Sequence, residues 1–300
     1  MKMWVELDLN PILDKDLDLK RQVKEEIQKE KIDSTITIDL IRSLNKDILD
    51  VNALGLEDRD YNLYIWSLID SYFVTGNNKS YELVNELLSK RKTLHSSLFQ
   101  LKVYDITKDK SILTSVSDTI FKLDEYWGED LLALAKLSYI TQDLKIVKRS
   151  TEIMLNKLEE IERQGGIKSE IDVEMGMGAL KGLSLININY SKYPDILEKI
   201  KYYDDKYFVP MFEFIGNKPN IPEYLDSLQV IPMLASSKEF TVFAATKDIK
   251  YLKGTIKLYK YYQEYLNTIG ITKTSLRQKL WGLIALSRIV YFIEKGKILD

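Results

Sequence analysis

Three features of this 300-residue chain predict an all-α fold. Apolar residues recur at helical spacing nearly everywhere, and the alternation that marks strands is almost absent. Only six prolines and 13 glycines interrupt the chain, so few positions force a break. Four times an apolar run stops at a short phrase, Thr-x-(Asn/Asp), close to a lysine, and a second helical run begins. The phrase stands at Thr75-Gly-Asn-Asn-Lys79, Thr107-Lys-Asp-Lys-Ser111, Thr141-Gln-Asp-Leu-Lys145 and Thr246-Lys-Asp-Ile-Lys250. Its Asn or Asp can cap the free N–H groups of the helix that follows, so each phrase marks the turn of a helical hairpin.

Taken in order, a loop is expected at Asn10-Pro11, then amphipathic helices over about 15–31 and 35–50, the second opened by Asp33-Ser34-Thr35. Beyond these, two kinds of helix alternate. Leu131 to Ile140 and Leu280 to Ile289 are apolar nearly all round and must be covered on every side. After Thr141, by contrast, Val147, Met154, Leu158 and Ile161 share one face while Lys148, Arg149, Lys157 and Glu160 lie off it. The pattern predicts inner helices wrapped by outer ones. Pairs are expected over about 58–92, 95–123, 129–163, 172–208, 222–266 and 275–295. The domain reading is an N-terminal helical segment, 1–55, packing on a body of hairpins, 56–300.

The apolar helix, Thr-Gly-(Asp/Asn) turn and amphipathic helix of Ile65 to Asn77 and of Leu131 to Lys145 resemble the hairpins of the six-hairpin (α/α) toroid superfamily. The resemblance covers about 58–295 and implies hairpins closing into a toroid. The alternative is an open solenoid of tetratricopeptide type. The first three turn phrases are spaced near that repeat's roughly 34 residues, but its Trp, Leu-Gly, Tyr, Ala and Pro pattern does not recur. The apolar last helix around Trp281 also favours a ring, since a solenoid's terminal helix needs a polar outer face.

Composition narrows function by exclusion. Net charge is −2, from 43 basic and 45 acidic residues, so no global field recruits nucleic acid or an anionic membrane. Cysteine is absent, which removes disulfides, thiolate metal sites and cysteine nucleophiles. A single histidine, His95, leaves no His-rich zinc site; it is expected in the turn before a helix. No cofactor or metal is expected. Met1 to Asp8 places acids inside what would be the apolar part of a signal peptide, so a cytoplasmic protein is expected. Leu280 to Ile293 is too short and carries Arg288, so it reads as a buried helix rather than a span. The 29% charged fraction, with no cysteine, resembles hyperthermophile usage.

Members of the toroid superfamily include glycoside hydrolases, lyases and sugar epimerases, with sites built from segments leading into the inner helices. The resemblance directs attention to Glu57–Asp60, Tyr126–Asp130, Glu170–Glu174, Glu223–Asp226 and Arg277–Lys279. It implies Asp172, Glu174, Glu129 and Asp130 as candidate catalytic residues, and Trp127, Tyr126, Glu223 and Asp226 as candidate substrate-binding residues. Glycosidic cleavage needs two carboxyls across a bond, and Trp127 could stack on a sugar ring. A histidine-dependent epimerase is disfavoured with only His95 present. The competing account of each acid is a helix cap, favoured at the positive end of the helix dipole. The expected partner is an oligosaccharide or similar polyhydroxylated molecule, or alternatively a protein or peptide bound by a helical scaffold.

Three weaker signals are set aside. Gly176-Met-Gly-Ala-Leu-Lys-Gly182 follows no strand and is expected at a close helix contact, not at a dinucleotide. Asp204-Asp205 resembles the paired aspartates of isoprenoid synthases, but Phe208 stands where a third acid is needed. Lys247, Lys250, Lys253, Lys257 and Lys260, with Tyr251, Tyr259 and Tyr262, are expected to form a solvated outer face rather than a nucleic-acid stripe.

Overall fold

The computed structural model describes residues 5–91, 96–190, 194–210, 231–270 and 274–299. Its elements are β1 (Val5–Asp8), α1 (Asn10–Leu13), α2 (Leu17–Lys29), α3 (Ser34–Ile48), α4 (Asp58–Thr75), α5 (Asn78–Lys90), α6 (Ser97–Thr107), α7 (Lys110–Ile120), α8 (Gly128–Thr141), α9 (Leu144–Arg163), α10 (Glu170–Tyr190), α11 (Pro194–Tyr203), a π-helical turn (Asp204–Phe208), α12 (Ile231–Thr246), α13 (Ile249–Ile269), α14 (Leu276–Lys295) and β2 (Lys297–Leu299). The protein is all-α apart from two short strands.

The four turn phrases fold alike. Each Thr hydroxyl donates back to the carbonyl four residues earlier, at 2.7–3.0 Å, and accepts the N–H of the Asn or Asp two residues on, at 3.3–3.4 Å. The middle residue is left-handed: φ is +66° at Gly76, +58° at Lys108, +53° at Gln142 and +58° at Lys247. The Asn77, Asp109, Asp143 or Asp248 side chain then accepts the N–H two residues further. A left-handed C-cap and an Asx N-cap are thus fused in three residues.

Burial follows the two expected helix kinds. On α8, Leu131, Ala133, Leu134, Ala135 and Leu137 are buried over most of the circumference, while Leu132 and Lys136 are half-buried and Tyr139 is exposed. On α9 only the stripe of Val147, Ser150, Thr151, Met154, Leu158 and Ile161 is buried. Each fully buried leucine contributes about 1.5–3 kcal/mol of transfer free energy.

Two departures from the sequence expectation occur at the ends. Val5–Asp8 and Lys297–Leu299 pair antiparallel, with Val5 opposite Leu299 and Asp8 opposite Lys297. Strands of three and four residues are too short to show alternation. The Asn10-Pro11 loop is instead a single helical turn, α1, with Pro in its first turn, where its missing N–H is harmless.

The chain divides into two units. Unit 1 holds α6 to α11, the π turn, the part of α12 from Lys238, and the first residues of α13. There α10 packs on α8 and α9, and α6 on α8. A Cβ on Gly178 would lie 2.6 Å from the Gly128 carbonyl oxygen, and one on Gly182 2.5 Å from Met154 Sδ. The glycine series of α10 therefore marks close helix contact. Unit 2 holds β1, α1 to α5, the first residues of α12, the remainder of α13, α14 and β2. Here α14 packs on α4 and α3, with the Trp66 and Trp281 rings edge to face at 6.1 Å. Among the described residues, no helix is long and apolar enough to cross a membrane.

Candidate functional site

The starts of α8 and α10 abut in unit 1. A Cβ on Gly128 would lie 2.6 Å from the Glu174 carbonyl oxygen, so the backbones of the Tyr126–Asp130 and Glu170–Glu174 segments meet through a position that only glycine fits. Trp127, immediately before α8, is 48% exposed although it is a large aromatic. Tyr126 and Asp130 are half-buried and Glu129 is exposed.

The two best-defined acids experience opposite environments. Asp130 reaches back to accept the Trp127 N–H at 3.0 Å. Burial pushes its carboxyl above the usual range, and that one backbone hydrogen bond only partly opposes the shift. Asp172 is also buried, which by itself would raise it. Four donors more than offset this: Gln164 Nε2 at 2.8 Å, the Lys168 N–H at 2.9 Å, the Ser169 N–H at 2.8 Å and Ser169 Oγ at 2.9 Å. They hold its carboxyl below the usual range. Ser169 Oγ in turn accepts the Asp172 N–H, so Asp172 and Ser169 form a reciprocal cap on α10. That cap starts α10 at Glu170 and draws Asp172 into its first turn. Glu174 lies half-buried one turn along.

Glu223, Asp226 and His95 lie outside the described residues. The segments Glu57–Asp60 and Arg277–Lys279 meet each other in unit 2, where Arg277 Nη2 lies 2.7 Å from Asp60 Oδ1.

Sequence reasoning missed a cluster on the π turn, at the same end of unit 1. Gln164 Nε2 also donates to the Gly166 carbonyl, and a Cβ on Gly166 would lie 3.2 Å from the Tyr207 ring. The Tyr207 and Tyr203 rings stack at 6.4 Å. Lys206 Nζ lies 2.6 Å from Glu162 Oε1 and 2.7 Å from Tyr202 Oη. Its hydrogen bond holds Glu162 below the usual range, while burial followed by Glu162 pushes the Tyr203 phenol up to about 12. The Asp204-Asp205 pair is divided between two lysines: Lys238 Nζ lies 2.8 Å from Asp204 Oδ1, and Lys250 Nζ 2.8 Å from Asp205 Oδ2. Among the described residues no group of three His, Asp or Glu side chains is placed to hold a metal ion. On α13, Tyr251 and Tyr259 are buried rather than interleaved with exposed lysines.

The chain matches no family model, no curated protein and no solved structure. What the site can do therefore rests on its own chemistry: an exposed indole, a carboxyl biased toward its protonated form and a carboxylate held ionised, on two touching helix starts.

Proposed function

We propose that unit 1 binds an oligosaccharide or similar polyhydroxylated molecule where α8 and α10 begin, as a carbohydrate-active protein of toroid type or an inactive relative. The carrying observation is the pair of carboxyls with opposed environments on abutting helices, beside exposed Trp127. Opposed carboxyl environments separate a proton donor from an ionised partner. In this reading Trp127 and Tyr126 offer ring faces to the ligand, Asp130 is the proton donor, and Glu129 and Glu174 accept hydroxyl hydrogen bonds. Asp172 is already bonded to four donors, which suits a positioning carboxylate better than a nucleophile.

A glycan array and a panel of chromogenic glycosides test the reading. The expected outcome is binding of at least one glycan class. If turnover is found, Asp130→Asn should reduce it about 10²-fold or more. Absence of both binding and cleavage supports the second reading, a helical scaffold for a protein or peptide, which the use of Asp172 as a cap favours.

Closure of the hairpins into a ring belongs to the same proposal. Its support is the alternation of wholly apolar and amphipathic helices, together with the packing of the last helix, α14, on the first hairpin helix, α4, within unit 2. Solution scattering should give a radius of gyration of about 19 Å. A value far above this would favour the open solenoid.

A further inference from the structure

The buried charges around Lys238 in unit 1 do not balance. Asp204 and Lys238 are 0% exposed and Glu239 1%. Lys238 Nζ lies 2.8 Å from Asp204 Oδ1 and 2.7 Å from Glu239 Oε1, and its ammonium sits 4.3 Å from the centre of the Phe208 ring. One cation thus faces two carboxyls. Asp204 Oδ2 and both Glu239 oxygens make no hydrogen bond, so one ammonium serves two carboxyls. With both ionised, a net negative charge would remain in the interior, and burial favours the neutral form of one carboxyl.

The other charged groups nearby are already committed. Asp205, the next residue of the π turn, accepts from Lys250 Nζ and from Tyr251 Oη at 3.0 Å. Lys250 also lies 3.8 Å from Asp248, and Lys206 is taken by Glu162. No further cation among these is left to neutralise the second carboxyl.

We infer that Asp204 and Glu239 hold a single proton between them, and that the neutral triad this makes with Lys238 latches the π turn onto α12. With the proton on Glu239, the triad is neutral: Lys238 is positive, Asp204 negative and Glu239 uncharged. Removal breaks the Glu239 O–H bond, leaves its electron pair on the carboxylate and passes the proton to a base in solution. A net negative charge would then remain buried around Lys238, a state that burial strongly disfavours. The π turn would be released, and with it Tyr207, whose ring lies against the Gly166 position, and Lys206, which pairs with Glu162. The inference concerns the turn itself and holds whether or not a glycan binds.

Burial, reinforced by Asp204, pushes Glu239 well above the usual carboxylate range, with Lys238 opposing. A group whose folded proton affinity is raised contributes stability below its unfolded value, about 4.3 for Glu. That stability is lost as pH rises through the folded value.

The test uses the full chain. Infrared spectra of the wild type at neutral pH should show a protonated-carboxyl C=O stretch that is absent from Glu239→Gln. Between about pH 5 and pH 8 the wild-type melting midpoint should fall more steeply than that of Glu239→Gln. Should Glu239→Gln fail to fold, the wild-type band alone decides, since it must disappear with rising pH together with amide protection of residues 205–208. Absence of the band at neutral pH overturns the inference, as does an equal pH slope in both proteins. A midpoint that rises with sodium while no band is present would place a cation there instead, and also overturns it.

Discussion

Asp130 and Asp172 occupy the same position, the third residue of a helix, yet the surrounding donors give them opposite electrostatic signs. Asp172 has a depressed folded pKa, so its contribution to stability is present above the unfolded Asp value of about 4 and is lost as pH falls through the folded value. Asp130 has a raised folded pKa, so its contribution is lost as pH rises. At neutral pH, Asp172→Asn should therefore destabilise by about 1–2 kcal/mol, as expected for a lost charged cap. Asp130→Asn, which keeps an acceptor for the Trp127 N–H, should leave stability unchanged or slightly higher. Denaturant midpoints for the two variants measure the contrast, and equal losses would show that the environments are not opposed. The sequence made both acids legible as candidates at helix starts. It could not distinguish them, because the four donors to Asp172 depend on how Gln164 and Lys168 fold back over it.

The hairpin turn is the element the sequence announced most clearly, and its Asn or Asp cap is where the phrase placed it. The Thr hydroxyl, bonded both to the preceding turn and to the cap residue, was written in the same phrase but is intelligible only once the middle residue is seen to be left-handed. Gly76 satisfies that backbone freely, whereas Lys108, Gln142 and Lys247 adopt it at a cost. Gln142→Gly should accordingly stabilise the protein by about 0.5–1 kcal/mol, and Gly76→Ala should destabilise it by a similar amount. Thermal or denaturant unfolding of the pair checks this; a loss of stability in Gln142→Gly would mean that the left-handed turn is not what closes the hairpin. The π turn left no comparable trace. One extra residue in a helical run does not disturb apolar spacing enough to be read, although such insertions often occur at functional positions.

At the scale of the whole chain, the helix kinds and their alternation were legible in the sequence, but the charges inside them were not. Lys102, Lys181, Lys238 and Arg288 are charges within largely apolar helical runs, and all are buried. Beside its neighbour Glu239, Lys238 meets Asp204 34 residues away, and Arg288 meets Asp70 218 residues away. No local pattern encodes such pairings, and a net charge of −2 says nothing about which charges face inward. Trp127 shows the reverse case, an aromatic whose neighbours suggested a ligand and which the fold leaves exposed. The most direct trial of the proposed function is a binding titration of the strongest glycan from the array against the wild type and Trp127→Ala. The account predicts binding weakened about tenfold or more, equivalent to about 1.4 kcal/mol, with an unchanged melting midpoint. Equal affinity in the two proteins, or no glycan bound by the wild type, would contradict it.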